Sequence, residues 1–263
     1  MKTPGVIILR TAGCNCDLET AYAFEQAGAR TELVHINQIV RGEKKLSSYQ
    51  ILAIPGGFTY GDDVSAGKIL ANELKFKLTD QMQQFCADGK GILGICNGFQ
   101  VLVKAGMLPE IQLEQSRQRV TLTFNDSGKF EDRWVYLKTE SNNRCIFTRN
   151  LPEIIYLPVA HSEGKFIAEN AEMLVELRNN DQIVLTYVNA LGEPDGYPWN
   201  PNGSVANIAG ICDRTGRIFG LMPHPERYIE ATQHPRWTRE GLADSPDGAF
   251  IFKNAVQYIR DAL

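Results

Sequence analysis

Residues 91–100, GILGICNGFQ, decide the fold class and contain the sharpest candidate for chemistry in the chain. The first five residues are an apolar run typical of a buried strand, and a helical pattern follows. Cys96 lies at the junction, and Gly94 and Gly98 on either side let the two backbones pass without a Cβ clash. The stretch predicts a sharp strand-to-helix turn that exposes the Cys96 thiol at a helix N-terminus, where unpaired N–H groups favour a thiolate. A buried core cysteine is the alternative, but the glycines and the immediate helix weigh against it.

A thiol nucleophile needs a base, and one of the four histidines has suitable neighbours. His224 lies in MPHPER, residues 222–227, where two prolines favour an extended chain. Residues i and i+2 of an extended segment face the same way, so the His224 imidazole and the Glu226 carboxylate are predicted to project together. With Cys96 they would form a triad of nucleophile, base and orienting carboxylate. An ordinary surface loop with solvated charges is the alternative.

A third segment offers donors for an oxyanion. Residues 50–57, QILAIPGG, are predicted to form a buried strand that ends in a glycine turn. The N–H of Gly57 would be free to bind developing negative charge there. The alternative is a tight turn with no role beyond reversing the chain.

Together these motifs resemble the class I, or triad, glutamine amidotransferases, whose elbow reads Gly-x-Cys-x-Gly-x-Gln. Within that family the chain is similar to glutaminase subunits that serve de novo purine biosynthesis. Six blocks in order carry the resemblance: NCD at 15–17, PGGFTYGD at 55–62, GICNGFQ at 94–100, AHSEG at 160–164, NPNGS at 200–204 and MPHPER at 222–227.

The resemblance implies a role for each matching residue. Cys96 would be the nucleophile, His224 its base and Glu226 the group that orients the base. The backbone amides of Gly57 and Asn97 would form the oxyanion hole. The amino acid end of the substrate glutamine would be held by four residues: Gln100, His161, Ser162 and Glu163. The chain departs from the family pattern at Ser162, where Gly is expected, and at Cys14, where Thr or Ser is usual.

The resemblance also implies the reaction and the partners. L-glutamine would be hydrolysed to glutamate and ammonia through a Cys thioester. The ammonia would pass to a separate synthetase subunit, which uses ATP and magnesium to convert formylglycinamide ribonucleotide to formylglycinamidine ribonucleotide. The sequence leaves open whether a small third subunit bridges the complex. The sequence contains no phosphate-binding GxxxxGK[ST] string, so no ATP site is expected in this subunit. Neither a cofactor nor a metal is predicted here. A glutaminase of another pathway and a non-catalytic metabolite-binding relative are the alternatives.

Composition agrees with this placement. The 263 residues include 43% hydrophobic ones and no linker-like tract, so a single domain over 1–263 is expected. A net charge of −4 gives no nucleic-acid or membrane-binding signature. Six irregularly spaced cysteines predict neither a disulfide framework nor a zinc site. The absence of a signal-peptide core or a membrane-length apolar run predicts a cytoplasmic protein.

The order of patterns predicts an α/β fold, a three-layer sandwich with a mainly parallel central sheet. Apolar strand patterns at 5–9, 31–36, 50–54 and 91–95 alternate with helical patterns at 17–27, 64–88 and 97–106. The resemblance implies the flavodoxin-like arrangement of class I glutaminases.

From 118 to 221 the pattern changes to successive strands, which predicts an antiparallel extension with strands near 132–138, 154–159, 182–188 and 216–221. A final helix is predicted to begin at Ser245-Pro246. Its apolar stripe consists of Phe252, Ala255, Val256, Ile259 and Leu263.

Overall fold

The computed structural model describes residues 3–113 and 118–262. The strands are β1 (Gly5–Arg10), β2 (Arg30–His35), β3 (Ile51–Ile54), β4 (Gly91–Ile95), β5 (Val120–Thr123), β6 (Glu131–Thr139), β7 (Ile154–His161), β8 (Lys165–Ala168), β9 (Ile183–Val188), β10 (Ile208–Cys212) and β11 (Ile218–Leu221). The helices are α1 (Asp17–Gln26), α2 (Ile36–Val40), α3 (Lys68–Lys77), α4 (Thr79–Ala87), α5 (Asn97–Lys104), α6 (Ala171–Asn179), α7 (Trp237–Glu240) and α8 (Asp247–Ala262).

One nine-stranded sheet organises the molecule, in the order β2-β1-β3-β4-β11-β10-β9-β6-β7. The five strands at one side of the sheet, β2, β1, β3, β4 and β11, run parallel, and their spatial order is that of a flavodoxin-like doubly wound fold. Strands β3, β4 and β11 are buried along their whole length, as expected where helices cover both faces of a sheet. The predicted fold class is therefore confirmed.

Two pairs of helices pack against this sheet. Helix α1 packs on α8, where the Phe24 and Phe252 rings meet edge to face with centroids 4.9 Å apart. Helix α3 packs on α5, and α5 lies over β3, β4 and β11. A Cβ at Gly220 in β11 would lie 2.1 Å from the Phe99 ring, so this glycine permits the close approach of α5.

The remaining strands form the predicted antiparallel extension. Strands β10, β9, β6 and β7 are antiparallel neighbours, and β5 pairs with β8 in a separate two-stranded sheet. Although β7 is the far edge strand of the large sheet, its Pro158 carbonyl accepts a 2.8 Å hydrogen bond from the N–H of His224. The extension therefore curls back, and the end of β7 lies beside the ends of the parallel strands.

One strand lies in a different part of the sheet from the one predicted. The segment 216–221 was expected in the antiparallel extension, but β11 pairs in parallel with β4, with Leu221 opposite Ile95. The strand follows a long run of extension strands, and order along the chain suggested the same environment. Its burial on both faces is the property that marks a central parallel strand.

The helical pattern at 64–88 is divided. Helices α3 and α4 are separated at Leu78, whose backbone is non-helical with φ −127° and ψ 15°. The first residues of the pattern precede α3, where Val64 and Gly67 have positive φ of 72° and 73°. A periodic apolar pattern continues across such a break because both helices bury a stripe on the same core.

The C-terminal helix begins at Asp247, directly after the predicted Ser245-Pro246 start. Its predicted stripe is buried from Phe252 to Ile259, whereas Leu263 lies outside the described residues. No helix in the described ranges is long and apolar enough to cross a membrane. All six cysteines lie in those ranges and are free thiols.

Candidate active site

The strand-to-helix turn at Cys96 has the geometry that the sequence predicts. Strand β4 ends at Ile95, helix α5 begins at Asn97, and Cys96 between them has φ 51° and ψ −105°. The N–H of Cys96 donates to the Leu221 carbonyl at 2.8 Å, which ties the turn to β11. A Cβ at Gly98 would lie 1.9 Å from the carbonyl oxygen of Ile54, so only glycine lets α5 approach β3 this closely.

The thiol is less exposed than expected. Cys96 is only 5% exposed, whereas the turn was predicted to push it outward. The extension strands cause the difference, since Sγ of Cys96 lies 3.8 Å from the Ala160 carbonyl oxygen of β7. A local turn fixes the direction of a side chain, but only the folded chain determines what covers it.

His224 and Glu226 lie together at the end of β11. Nδ1 of His224 is 2.6 Å from Oε1 of Glu226, and both residues are buried. The segment between them is not extended as predicted, because Pro225–Arg227 form one 3₁₀ turn with Pro225 at its first position. Proline suits that position, where no N–H donor is needed and its fixed φ is helical. The i and i+2 side chains meet across this turn.

Charge on the His224 ring is favoured in this setting. Burial opposes a positive imidazole, but the facing Glu226 carboxylate and the Cys96 sulfur outweigh burial and raise the pKa of His224 well above its usual range. Because Glu226 occupies Nδ1, Nε2 is the nitrogen left for proton transfer. Nε2 is buried and has no hydrogen-bond partner among the residues described.

Gly57 lies in the turn that follows β3, and β3 is the parallel neighbour of β4, the strand that leads into Cys96, with Ile54 opposite Gly94. Gly57 has φ 142°, and a Cβ there would lie 2.7 Å from the Gly13 carbonyl oxygen. The turn after β3 packs against the backbone of residues 12–16, where the N–H of Phe58 donates to Gly13 at 2.9 Å. This contact explains why a side chain at position 57 would not fit.

The residues predicted to hold glutamine form one cluster. Nε2 of Gln100 donates to the Glu163 carbonyl, which joins α5 to the segment that follows β7. His161 is buried, Glu163 is half-buried and Ser162 is exposed, so the hydroxymethyl group that replaces the expected glycine hydrogen points to solvent-accessible space. Burial, followed by the charge of His224, lowers the pKa of His161 to about 3, so its ring stays neutral at physiological pH.

Two asparagines that sequence reasoning missed hold this segment in place. Asn125 is 3% exposed, donates to the His161 carbonyl at 2.8 Å, and accepts from the N–H of Gly164 at 3.0 Å. Asn202 is fully buried and donates to the Gly164 carbonyl at 2.9 Å. Asn202 belongs to the NPNGS block, which supported the family resemblance but was assigned no role in the site. Nothing in the local sequence marks Asn125.

Cys16 is a third unexpected neighbour. Its Sγ accepts a hydrogen bond from Nη2 of Arg227 at 3.3 Å, and its ligand atom lies within 4.8 Å of those of His224 and Glu226. These three buried residues carry a thiol, an imidazole and a carboxylate, and with the thiol deprotonated such a donor set is suited to Zn²⁺. A metal bound there would replace the 2.6 Å contact between the imidazole and the carboxylate.

Comparison with known proteins identifies the class first. A family model described as the CobB/CobQ-like glutamine amidotransferase domain matches residues 3–259. A glutamine amidotransferase from Thermotoga maritima, known from its crystal structure, has the same fold. It superposes with a TM-score of 0.53 at 15% identity, over 99% of this chain and 94% of that one.

Relatives that match over nearly their full length show which group of glutamine amidotransferases the chain belongs to. The phosphoribosylformylglycinamidine synthase subunit PurQ of Dehalococcoides mccartyi is 49% identical over 261 residues, 99% of each chain. PurQ of Archaeoglobus fulgidus is 45% identical over 267 residues, which cover 97% of this chain and 96% of that one. A chain in the solved structure of PurLQS from Thermotoga maritima superposes with a TM-score of 0.75 at 31% identity, over 98% of this chain and all of that one. The chain belongs to the glutamine amidotransferase family, among its PurQ members.

Proposed function

We propose that this chain is the glutaminase subunit of a phosphoribosylformylglycinamidine synthase, acting in de novo purine biosynthesis. Its similarity to full-length PurQ subunits supports the pathway. One structural observation carries the chemistry. The carboxyl ends of three adjacent parallel strands, β3, β4 and β11, bring together a glycine turn, a cysteine elbow and a hydrogen-bonded His–Glu pair. Ligands of open α/β sheets bind at such strand ends.

The first half of the proposed reaction forms a thioester. The Cys96 sulfur attacks the side-chain carboxamide carbon of glutamine, and His224 holds the thiol proton while Glu226 supports the imidazolium. The tetrahedral intermediate carries a negative oxygen, which the N–H groups of Gly57 and Asn97 stabilise. The C–N bond then breaks, the nitrogen leaves with the proton from His224, and ammonia and a γ-glutamyl thioester result.

The second half releases glutamate. His224 takes a proton from water, the resulting hydroxide attacks the thioester carbon, and the C–S bond breaks. The proton returns to the sulfur of Cys96 or remains shared with His224, so the site is regenerated. During both halves, Gln100 and the segment from His161 to Glu163 hold the amino acid end of the substrate.

Ammonia is the useful product under this proposal. A synthetase subunit would use it, with ATP and magnesium, to convert formylglycinamide ribonucleotide to formylglycinamidine ribonucleotide. The similarity to a chain of the Thermotoga maritima PurLQS structure supports a complex with a synthetase and a small third subunit. We further propose a single domain over 1–263, since nine strands between residues 5 and 221 form one sheet and the C-terminal helix α8 packs on α1. The cytoplasmic location stays a prediction.

The decisive variant is Cys96→Ala in the complex reconstituted with the synthetase. Without the sulfur no thioester forms, so glutamine-dependent amidine synthesis should be lost while synthesis from added ammonium salts is retained. Product formation is measured with each nitrogen source. A diazoketone analogue of glutamine should also label Cys96, detected by mass spectrometry. Glutamine-dependent turnover by Cys96→Ala would show that the nucleophile is misassigned.

Cys14→Ser and Cys86→Ser are the matched controls for this experiment, and both should keep glutamine-dependent activity. Burial raises the pKa of each of these two thiols to about 12, so neither forms a thiolate readily. Cys16 is unsuitable as a control because its sulfur lies beside His224. Labelling of Cys14 or Cys86 in place of Cys96 would contradict the assignment.

A further inference from the structure

The side chain of Asn97 is the centre of a buried network at the start of α5. Asn97 is 1% exposed. Its Oδ1 accepts from the Thr59 hydroxyl at 2.7 Å and from the Thr59 N–H at 3.3 Å. Its Nδ2 donates to Oδ1 of Asp62 and to Oε1 of Gln100, both at 3.0 Å. The carboxamide therefore uses two acceptor and two donor positions, its full capacity.

The orientation of this carboxamide follows from its neighbours. A backbone N–H can only donate and an ionised carboxylate can only accept, so Oδ1 must face Thr59 and Nδ2 must face Asp62. Aspartate at position 97 would keep the shape and the contacts to Thr59 but would have no donor for Asp62 or Gln100.

One arm of the network reaches the turn that follows Gly57. Thr59 and Asp62 lie in this turn, and three consecutive residues, Tyr60, Gly61 and Asp62, have positive φ of 57°, 71° and 55°. Non-glycine residues persist in this region only where the surrounding structure holds them. The bonds from Asn97 to Thr59 and Asp62 supply that restraint, together with a 3.4 Å bond from the Gly67 N–H to Asp62.

The other arm reaches the segment after β7. Oε1 of Gln100 accepts from Asn97, and Nε2 of Gln100 donates to the Glu163 carbonyl. Asn97 is also the residue next to Cys96. A single side chain therefore connects the proposed oxyanion turn, the nucleophile elbow and the proposed glutamine-holding segment.

We propose that the Asn97 carboxamide is a positioning residue that holds these three parts in register. The inference rests on the proposed function and extends it, because the resemblance assigns Asn97 only a backbone N–H. The side chain touches no reacting atom, and it acts through Thr59 and Asp62 on the turn and through Gln100 on the substrate segment.

The proposal predicts a dependence on pH in an Asn97→Asp chain. Asp62 faces Asn97, Glu163 and Lys104. Burial raises the pKa of Asp62, and the bonds from Gly67 and Asn97 lower it; the Glu163 carboxylate then raises this pKa and the Lys104 ammonium lowers it. Replacing the Asn97 donor by a second carboxylate raises the pKa again, so the pair binds a proton as pH falls, and that proton restores a donor between them.

The test compares Asn97→Asp with Asn254→Asp, assayed as the full chain with its synthetase partner. Asn254 lies on α8 and donates to the Phe147 carbonyl at 3.1 Å. This bond involves no residue of the Asn97 network, so the Asn254→Asp variant should match the parent chain. Asn97→Asp should lower kcat for glutamine about 10- to 100-fold at about pH 8.5, with a smaller change in KM, because a misplaced oxyanion donor costs the transition state most. Its kcat relative to the parent should rise toward about pH 6.

Thr59→Val keeps the test decisive if Asn97→Asp fails to fold. It removes the 2.7 Å bond at nearly constant volume and should lower kcat several-fold with unchanged pH dependence. Parent-like kcat in Thr59→Val, or a loss in Asn97→Asp that is the same at both pH values, overturns the proposal. Failure of the proposed function is distinguishable, because it appears as glutamine turnover by Cys96→Ala.

Discussion

Substitutions of His224 and Glu226 should lower the rate of glutamine hydrolysis by different amounts. His224→Asn removes the proton acceptor, and general base catalysis of this kind contributes about 10²- to 10⁴-fold. Glu226→Gln keeps an oxygen that can accept from Nδ1, so its loss should be smaller. Glutamine turnover of the two variants gives the order. Equal and negligible losses would mean that the pair does not act on Cys96, and the neutral ring of His161 would become the candidate.

The same pair makes stability depend on pH. Glu226 helps to raise the pKa of His224 in the folded chain. A raised histidine pKa contributes stability that is fully present below the unfolded pKa of about 6.5 and is lost as pH rises through the folded value. In urea unfolding, Glu226→Gln should therefore lose more stability at about pH 6 than at about pH 10. An equal loss at both would contradict the ion pair.

At the scale of elements, the packing of α5 on β3 requires glycine at position 98. A Cβ at that position would lie 1.9 Å from a backbone carbonyl oxygen, which cannot move as a side chain does. Gly98→Ala should therefore shift the helix, cost about 1–3 kcal/mol of unfolding free energy and displace the Cys96 turn. Urea unfolding and the rate of labelling by the diazoketone analogue measure the two effects.

Gly196→Ala is the matched control for this packing prediction. A Cβ at Gly196 has no atom within 4 Å among the described residues, so the change should stay within about 0.5 kcal/mol. If Gly98→Ala were as stable and as reactive as this control, the close approach of α5 and β3 would not be what positions the thiol.

At the scale of the whole molecule, we expect the isolated chain to be a poor glutaminase. Ammonia that escapes into water is no longer available to the synthetase, so hydrolysis without the partner is wasteful. The turn after Gly57 also exposes apolar surface that a partner could cover, since Phe58 is 44% exposed and Val64 is 88% exposed. Glycine permits a peptide flip at little strain, and one misdirected donor costs ~10²-fold or more. Glutamate release should therefore rise when the synthetase and its nucleotide are added.

Tyr60→Phe tests whether this turn transmits the effect. The Tyr60 hydroxyl donates to Glu73 of α3, so the variant loosens the turn, and its stimulation by the partner should change. Tyr258→Phe, a half-buried tyrosine on α8, is the control. Full hydrolysis by the purified chain, unaffected by the partner, would rule out gating by the turn without touching the triad assignment.

The sequence alone determined the features that depend on neighbouring residues. The elbow at Cys96 requires Gly94 and Gly98 nearby in the chain, the turn after β3 requires Gly57, and His224 and Glu226 are two residues apart. Apolar runs and helical periods likewise predicted the parallel sheet and its helices. Steric limits and burial patterns of this kind involve residues a few positions apart, so they can be predicted from the order of residues along the chain.

Only the tertiary structure decided which distant groups meet. It placed β11 beside β4, covered the Cys96 thiol with β7, and brought Asn125 and Asn202 to the segment after His161. It also showed that the Asn97 side chain bonds to Thr59 and Asp62, whereas the sequence predicted a role only for the backbone N–H of Asn97. Hydrogen bonds between buried polar side chains have no period along the chain. Their partners are fixed by the requirement that each buried donor and acceptor be satisfied once the sheet has formed.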